Sequence, residues 1–236
     1  MNSEKINEIL NNLESGYDQM ADKFSGTRSF FWSDLAFIAD YINNGDKILD
    51  FGCGNGRLLE ILKDKKINYA GADVSQKLID LAKQKYPEFA DSFSKITGQP
   101  SLPFPDNFFN KIISVAVFHH FPEKYAKEMV KELYRVIQPG GTVIITAWNL
   151  FQKKQRKNIF NPVILLKKLF HIGEYAGFGF GDILIPFRNN KGEVFNRYHR
   201  AYTKKSLADI FLSAGFEIEK CFLANGKNIV IIIKKP

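Results

Sequence analysis

Three glycines at alternate positions, Gly52, Gly54 and Gly56, follow the apolar run Lys47–Phe51, within which Asp50 stands one residue from the end. Backbone free of side chains can approach a ligand closely in such a turn. Leu58, Leu59, Ile61 and Leu62 come next at helical spacing, so the loop is expected to present a helix start and its free N–H groups to a nucleotide-like ligand. Asp73, in Gly71-Ala72-Asp73-Val74-Ser75, lies about twenty residues beyond the glycines, where a carboxylate can accept hydrogen bonds from both hydroxyls of a ribose. A second set is His119-His120, after Ser114-Val115-Ala116-Val117-Phe118, and a third is Arg197-Tyr198-His199-Arg200. Guanidinium forks and imidazoles of this kind orient carboxylates or phosphates. Cys53 and Cys221 form no CxxC or Cys/His spacing, so neither a zinc site nor a disulfide framework is expected.

These groups need a scaffold, and the pattern from Lys47 onward supplies one. Apolar runs at 47–51, 68–73, 93–97, 110–117 and 141–148 read as strands, alternating with helical periodicity at about 55–64, 76–86 and 124–137. Such alternation predicts βαβ units and a parallel sheet. After Thr203 a helix runs to Ala214, and 217–223 and 228–234 close the chain as strands around the hairpin turn Ala224-Asn225-Gly226-Lys227. The expected fold is α/β: a doubly wound, seven-stranded, mostly parallel sheet, Rossmann-like, with a C-terminal antiparallel hairpin. Helices at 5–13, 17–24 and 29–42 are expected to cover it. The chain reads as a single domain over 1–236: N-terminal helices at 1–45, a core at 46–148 and 203–236, and an insertion at 149–202.

The insertion holds nearly all of the excess charge. The chain carries a net +8, and Trp148–Arg200 contains ten basic and three acidic residues, an excess of seven. Lys153, Lys154, Arg156 and Lys157 begin it, and Lys167 and Lys168 lie on a short basic amphipathic helix, 162–170. A basic segment interleaved with aromatics suits an RNA backbone. No apolar run reaches the roughly 18 to 20 residues of a membrane span, and MNSEKINEIL is too polar for a secretory signal. A soluble, cytoplasmic protein is expected.

The GxGxG spacing, Asp73, the turn Pro139-Gly140-Gly141 and the closing hairpin resemble the class I S-adenosylmethionine-dependent methyltransferases over about 47–148 and 203–234. The resemblance implies S-adenosyl-L-methionine as cofactor, held by Asp50, Gly52, Cys53, Gly54, Gly56, Asp73, Val74 and Ala116. Gln99-Pro100 stands where the family carries its adenine contact. Tyr17-Asp18-x-x-Ala21-x-x-Phe24-Ser25-x-Thr27-Arg28-x-x-x-Trp32 is similar to the signature of the tRNA wobble-uridine carboxymethyl methyltransferases. That likeness continues in Ala116 to Phe121, Arg135 to Gly141, Ile185-Pro186 and Arg197-Tyr198-His199, with Phe187 where the family has tryptophan. It implies that Tyr17 and Arg28 close over the methionine end of the cofactor, that the partner is tRNA, and that a small helper subunit takes part. A carboxymethyl acceptor is ionised at neutral pH and needs orientation more than a base; Arg28, His119, His120, Arg197 and His199 are the catalytic candidates.

Two other readings stay open at this point. The basic amphipathic stretch 162–170 would also suit a small-molecule or lipid-quinone O-methyltransferase working at a membrane surface. A cofactor-binding interaction protein without chemistry is the third, and the intact Asp50, Asp73 and glycines speak against it.

Overall fold

The computed structural model describes residues 1–28 and 30–236, the side chains of Lys154 and Gln155 excepted. Strands β1 (Lys47–Phe51), β2 (Asn68–Asp73), β3 (Phe93–Lys95), β4 (Phe109–Val115), β5 (Ile137–Trp148), β8 (Glu217–Ala224) and β9 (Asn228–Lys234) form one seven-stranded sheet in the order β3-β2-β1-β4-β5-β9-β8. β1 pairs in parallel with β2 and β4, whereas β9 runs antiparallel to both β5 and β8. The expected doubly wound sheet with its closing hairpin is therefore what the chain forms. Strand order reverses between β1 and β4, and the crevice beyond their carboxyl ends is where such sheets bind ligands.

β1, β4 and β5 are buried on both faces, as central parallel strands must be. Leu49, Ile112, Val143 and Ile145 meet α3 (Glu123–Val136) and α6 (Lys204–Leu212) on one side, and Ile48, Ile113 and Ile144 meet Leu35, Ile38 and Leu58 on the other. α6 begins with a capping box between Thr203 and Ser206, and α2 (Gln76–Lys85) with Ser75 accepting from the Leu78 N–H, which pairs N–H groups that a helix start otherwise leaves free.

Three expectations change. The N-terminal region is one helix, α1 (Ser3–Gly26), rather than pieces at 5–13 and 17–24. Gly16 looks like a break but serves contact with the insertion: a Cβ there would sit 2.0 Å from the Phe195 ring. Gly16→Ala is therefore expected to lower the melting temperature, with a packing penalty of about 1–3 kcal/mol exceeding the 0.5–1 kcal/mol gained in helix propensity. A raised melting temperature would show that the roof tolerates the methyl group. The helix expected over 29–42 is a 3-10 segment, Ser33–Tyr41, and Ser29 lies outside the described residues.

The helix expected over 55–64 is likewise a 3-10 turn, Arg57–Ile61, entered from Gly56 at φ 73°. Five residues do not repay α-helix nucleation, and i→i+3 bonds such as Leu62 N–H to Leu59 O take over. The glycine loop thus leads into a tight turn rather than an α-helix start.

The insertion carries the helix expected at 162–170 as α5 (Pro162–Leu169), and adds α4 (Lys153–Ile159) and an antiparallel hairpin, β6 (Asp182–Arg188) with β7 (Val194–Arg200), as a separate two-stranded sheet. Arg200 fastens the hairpin to the core by bridging Asp182 (3.0 Å) and Glu123 of α3. Tyr198 donates to Asp182 as well, at 2.6 Å. No helix among the described residues is long and apolar enough to cross a membrane.

Candidate active site

The floor of the site is the turn after β1. Gly52 has φ 76°, and a Cβ on it would lie 2.2 Å from Val117 Cγ2; only glycine satisfies both the backbone and the space. The Gly54 N–H donates to Asp73 Oδ2 (2.8 Å) and the Ser75 N–H to Asp73 Oδ1 (2.9 Å). Asp73 therefore holds the glycine loop against the end of β2, and each oxygen keeps a lone pair for another donor. Burial raises its pKa above the ordinary carboxylate value, opposed by the N–H groups of Ser75, Gly54 and Val74.

Across the crevice, β4 is followed by Ala116 at φ 62°, a left-handed conformation that costs a non-glycine residue energy and is common at ligand sites. Thr146 holds it, through both its hydroxyl (2.9 Å) and its carbonyl (3.1 Å), which accept from the Ala116 N–H.

α1 forms the roof. Asp18 accepts from the Ser75 hydroxyl (2.6 Å) and the Lys77 N–H (3.1 Å), docking the helix over the Asp73 turn. This carries Tyr17 above the cleft, 2.9 Å from His120 Nε2. His120 Nδ1 lies 3.0 Å from the Tyr198 carbonyl. A carbonyl only accepts, so Nδ1 carries the proton, Nε2 is the acceptor, and the Tyr17 hydroxyl donates to it. Burial, reinforced by Arg197, lowers the His120 pKa to about 3, so the ring is neutral. The same reasoning gives His199 a proton on Nδ1, donated to the Arg197 carbonyl (2.9 Å), and His119 a proton on Nε2, because its Nδ1 accepts from the Trp148 N–H (3.3 Å). Burial lowers both pKa values well below the usual one.

Guanidiniums outside any salt bridge among the described residues are the chief electrostatic feature. Arg28 stacks on Phe24 (4.0 Å), Arg57 on Trp32 (4.2 Å) and Arg197 on Phe187 (4.8 Å). All three line the cleft, and none is in a salt bridge among the described residues. Arg197 is 3% exposed, donates to Tyr17 Oη at 3.3 Å and leaves its Nε–H unpaired. A buried charge without a partner is expensive, so the site is arranged for anions.

Of the expected residues, Tyr17, Arg28, Gly52, Gly54, Asp73, Val74, Ala116, His119, His120 and Arg197 line one cleft. Asp50, Cys53, Gly56, Gln99, Pro100 and His199 do not. Asp50 is buried beneath the loop and accepts from the Tyr69 hydroxyl (2.7 Å), Gln99 points to solvent with Ile96 and Gly98 on the cleft wall instead, and His199 stacks behind His119. Cys53 is buried with its thiol pushed well above the usual pKa, which makes it a packing group. Arg57 and the roof residues Leu10 and Leu13 were not anticipated. The only sign of Arg57 was its place next to Gly56, and that of the leucines was the apolar stripe of α1.

Asp50 gives a pH prediction. Burial raises its pKa to about 7, opposed by the Tyr69 hydrogen bond. Between about pH 4 and 7 the unfolded chain ionises this group while the folded chain keeps it protonated, so its contribution to stability falls as pH rises and levels off above 7. Asp50→Asn is expected to flatten that slope, which is on the order of 4 kcal/mol for a three-unit shift. Melting temperatures of parent and variant from pH 4.5 to 8 check it; parallel curves would place the titration elsewhere.

Sheet order, glycine turn and acidic strand end together define a class I methyltransferase domain. Residues 49–145 match the family described as a methyltransferase domain, and S-adenosylmethionine is the cofactor of this domain. The chain is 36% identical over 133 residues to the tRNA (carboxymethyluridine(34)-5-O)-methyltransferase of Arabidopsis thaliana, a match covering 56% of this chain and 31% of that protein. It thus spans about a third of the length of the curated relatives it matches there. Among solved structures, a methyltransferase from Methanosarcina mazei aligns with a TM-score of 0.66 at 24% identity, covering 87% of this chain and 98% of the other. A putative methyltransferase solved in complex with the Haloferax volcanii Trm112 methyltransferase activator aligns with a TM-score of 0.65 at 17% identity, covering 94% and 97%. Both show the fold.

Proposed function

We propose that this chain methylates a carboxylate, carried by a carboxymethyl-type wobble uridine of tRNA, to its methyl ester. The observation that carries the reading is Arg197, a buried guanidinium with no acid partner among the described residues. With Arg28 and Arg57 both on the cofactor's one carboxylate, Arg197 is left without an anion, and a carboxylate on the acceptor supplies it. We assign Arg28 and Arg57 to the cofactor's carboxylate and Asp73 to its ribose, with the backbone of Gly52, Gly54 and Ala116 and the side chain of Val74 around them.

When bound, S-adenosylmethionine supplies an electrophilic methyl group on a sulfonium. Arg197 and the His119 Nε2–H orient the acceptor carboxylate. Methyl transfer to that oxygen would give the ester and leave S-adenosylhomocysteine, and these residues would have no proton to move. That agrees with the residues present, because three histidines held neutral by burial and one tyrosine bound to a histidine stabilise no charged base. The roof of α1 and the apolar walls of Phe24, Trp32 and Phe51 exclude water, which favours alignment over hydrolysis.

Lys153, Arg156, Lys157 and Lys167 are the phosphate contacts in this reading. Lys168 leaves the set because its ammonium is buried and donates to the Phe180 carbonyl (2.9 Å), and the Lys154 side chain lies outside the described residues. A small helper subunit belongs to the proposal as well, since the archaeal neighbour was solved with its activator.

The test is methyl transfer to tRNA bearing a carboxymethyluridine, read by nucleoside mass spectrometry. One added methyl group that mild alkali removes is expected. A methyl group that resists saponification, or transfer to RNA lacking the carboxylate, would overturn the ester assignment.

A further inference from the structure

α5 packs Ile164 inward but leaves most of its apolar side chains outside. Lys168, the residue expected to face water, is 6% exposed, while Val163, Leu166 and Leu169 point to solvent, followed by Phe170 and Ile172; those five are 53–69% exposed. A surface helix ordinarily buries its apolar stripe, and a patch of five large apolar side chains within ten residues marks a contact surface. Beside it, Phe160 at the end of α4 packs edge to face on Phe180 at 5.6 Å and shares a shallow depression with Lys153, Arg156 and Lys157. Lys167 stands on the ridge itself, and no acidic residue occurs from Lys153 to Ile172.

Charge and chemistry select the occupant. Lysines and an arginine with no acid among them fit an anionic surface. Of the five exposed ridge side chains only Phe170 offers a face on which a base can stack; Val163, Leu166, Leu169 and Ile172 are aliphatic, and contact with phosphates and bases does not account for them. Aliphatic side chains ringed by cations are what an interfacial helix places at the boundary between headgroups and acyl chains. None of the ridge residues lines the cleft, so this surface is separate from the chemistry. We propose that the α4–α5 ridge docks on an anionic phospholipid bilayer, where Lys153, Arg156, Lys157 and Lys167 meet lipid phosphates in place of those of RNA, and holds the enzyme at its surface without spanning it.

Sedimentation of the full chain with vesicles tests this. Equimolar phosphatidylglycerol and phosphatidylcholine vesicles are expected to pellet the protein in a salt-sensitive manner, and pure phosphatidylcholine at least about tenfold less of it. Leu166→Ser/Leu169→Ser is expected to lose at least about tenfold in partitioning, with unchanged melting temperature and cofactor affinity. If the double variant melts lower, Leu169→Ser alone carries the test, its side chain being the most exposed. The proposal fails if the parent does not pellet, or if it pellets equally with both vesicle types. It fails too if the ridge variant still pellets, or if that variant loses tRNA binding or breaks a dimer of the parent instead.

Discussion

Arg197→Gln is expected to reduce kcat/KM for ester formation by about 30- to 5000-fold, the range for truncating one partner of a buried charge pair. Affinity for S-adenosylmethionine should stay within about twofold, because Arg28 and Arg57 remain. The change also removes a donor to the Tyr17 hydroxyl, so Arg197→Lys is the informative companion. Lysine keeps the charge and loses the planar fork, and partial recovery is expected if charge dominates. Single-turnover transfer of labelled methyl groups, alongside calorimetry of cofactor binding, separates the terms. A variant that loses cofactor and acceptor affinity equally would show that Arg197 serves the cofactor, and the carboxylate reading would fall with it.

Asp73→Ala is expected to weaken cofactor binding by about 1–3 kcal/mol, roughly 5- to 150-fold, as for a buried hydrogen bond to a charged group. The fall in melting temperature should be substantial as well, since the N–H groups of Gly54 and Ser75 both lose their acceptor. Titration calorimetry and a thermal melt without cofactor measure the two effects separately. Unchanged affinity would place the ribose elsewhere.

The sheet was legible because its signals are local and mutually consistent. Runs at 47–51, 68–73 and 228–234 became strands with those bounds. Asp73 was legible for the same reason: strand end and glycine spacing fix it together. What the chain hid depends on partners far away in sequence. Gly16 reads as a break until Phe195 is seen lying against it. Arg57 reads as a solvated charge until Trp32 covers it. The hairpin β6–β7 combines a strand pattern broken by Pro186 with the turn Asn189-Asn190-Lys191-Gly192, and only its fastening by Arg200 shows which strands pair. Helical spacing found α5 but could not say which face is inward, and Lys168 occupies the inner one.

The lack of an acid partner for Arg197 among the described residues also bears on how the proposed reaction would end. In the proposed reaction, esterification would abolish the anion that the guanidinium grips, and the finished nucleoside would lose its strongest hold when the new bond is made. The cleft would then read completion: unmethylated acceptors would compete for it and finished ones would not, and the ester is expected to be a feeble inhibitor where an inert carboxylate analogue is a strong one. Direction is thus written into which charge was left unpaired.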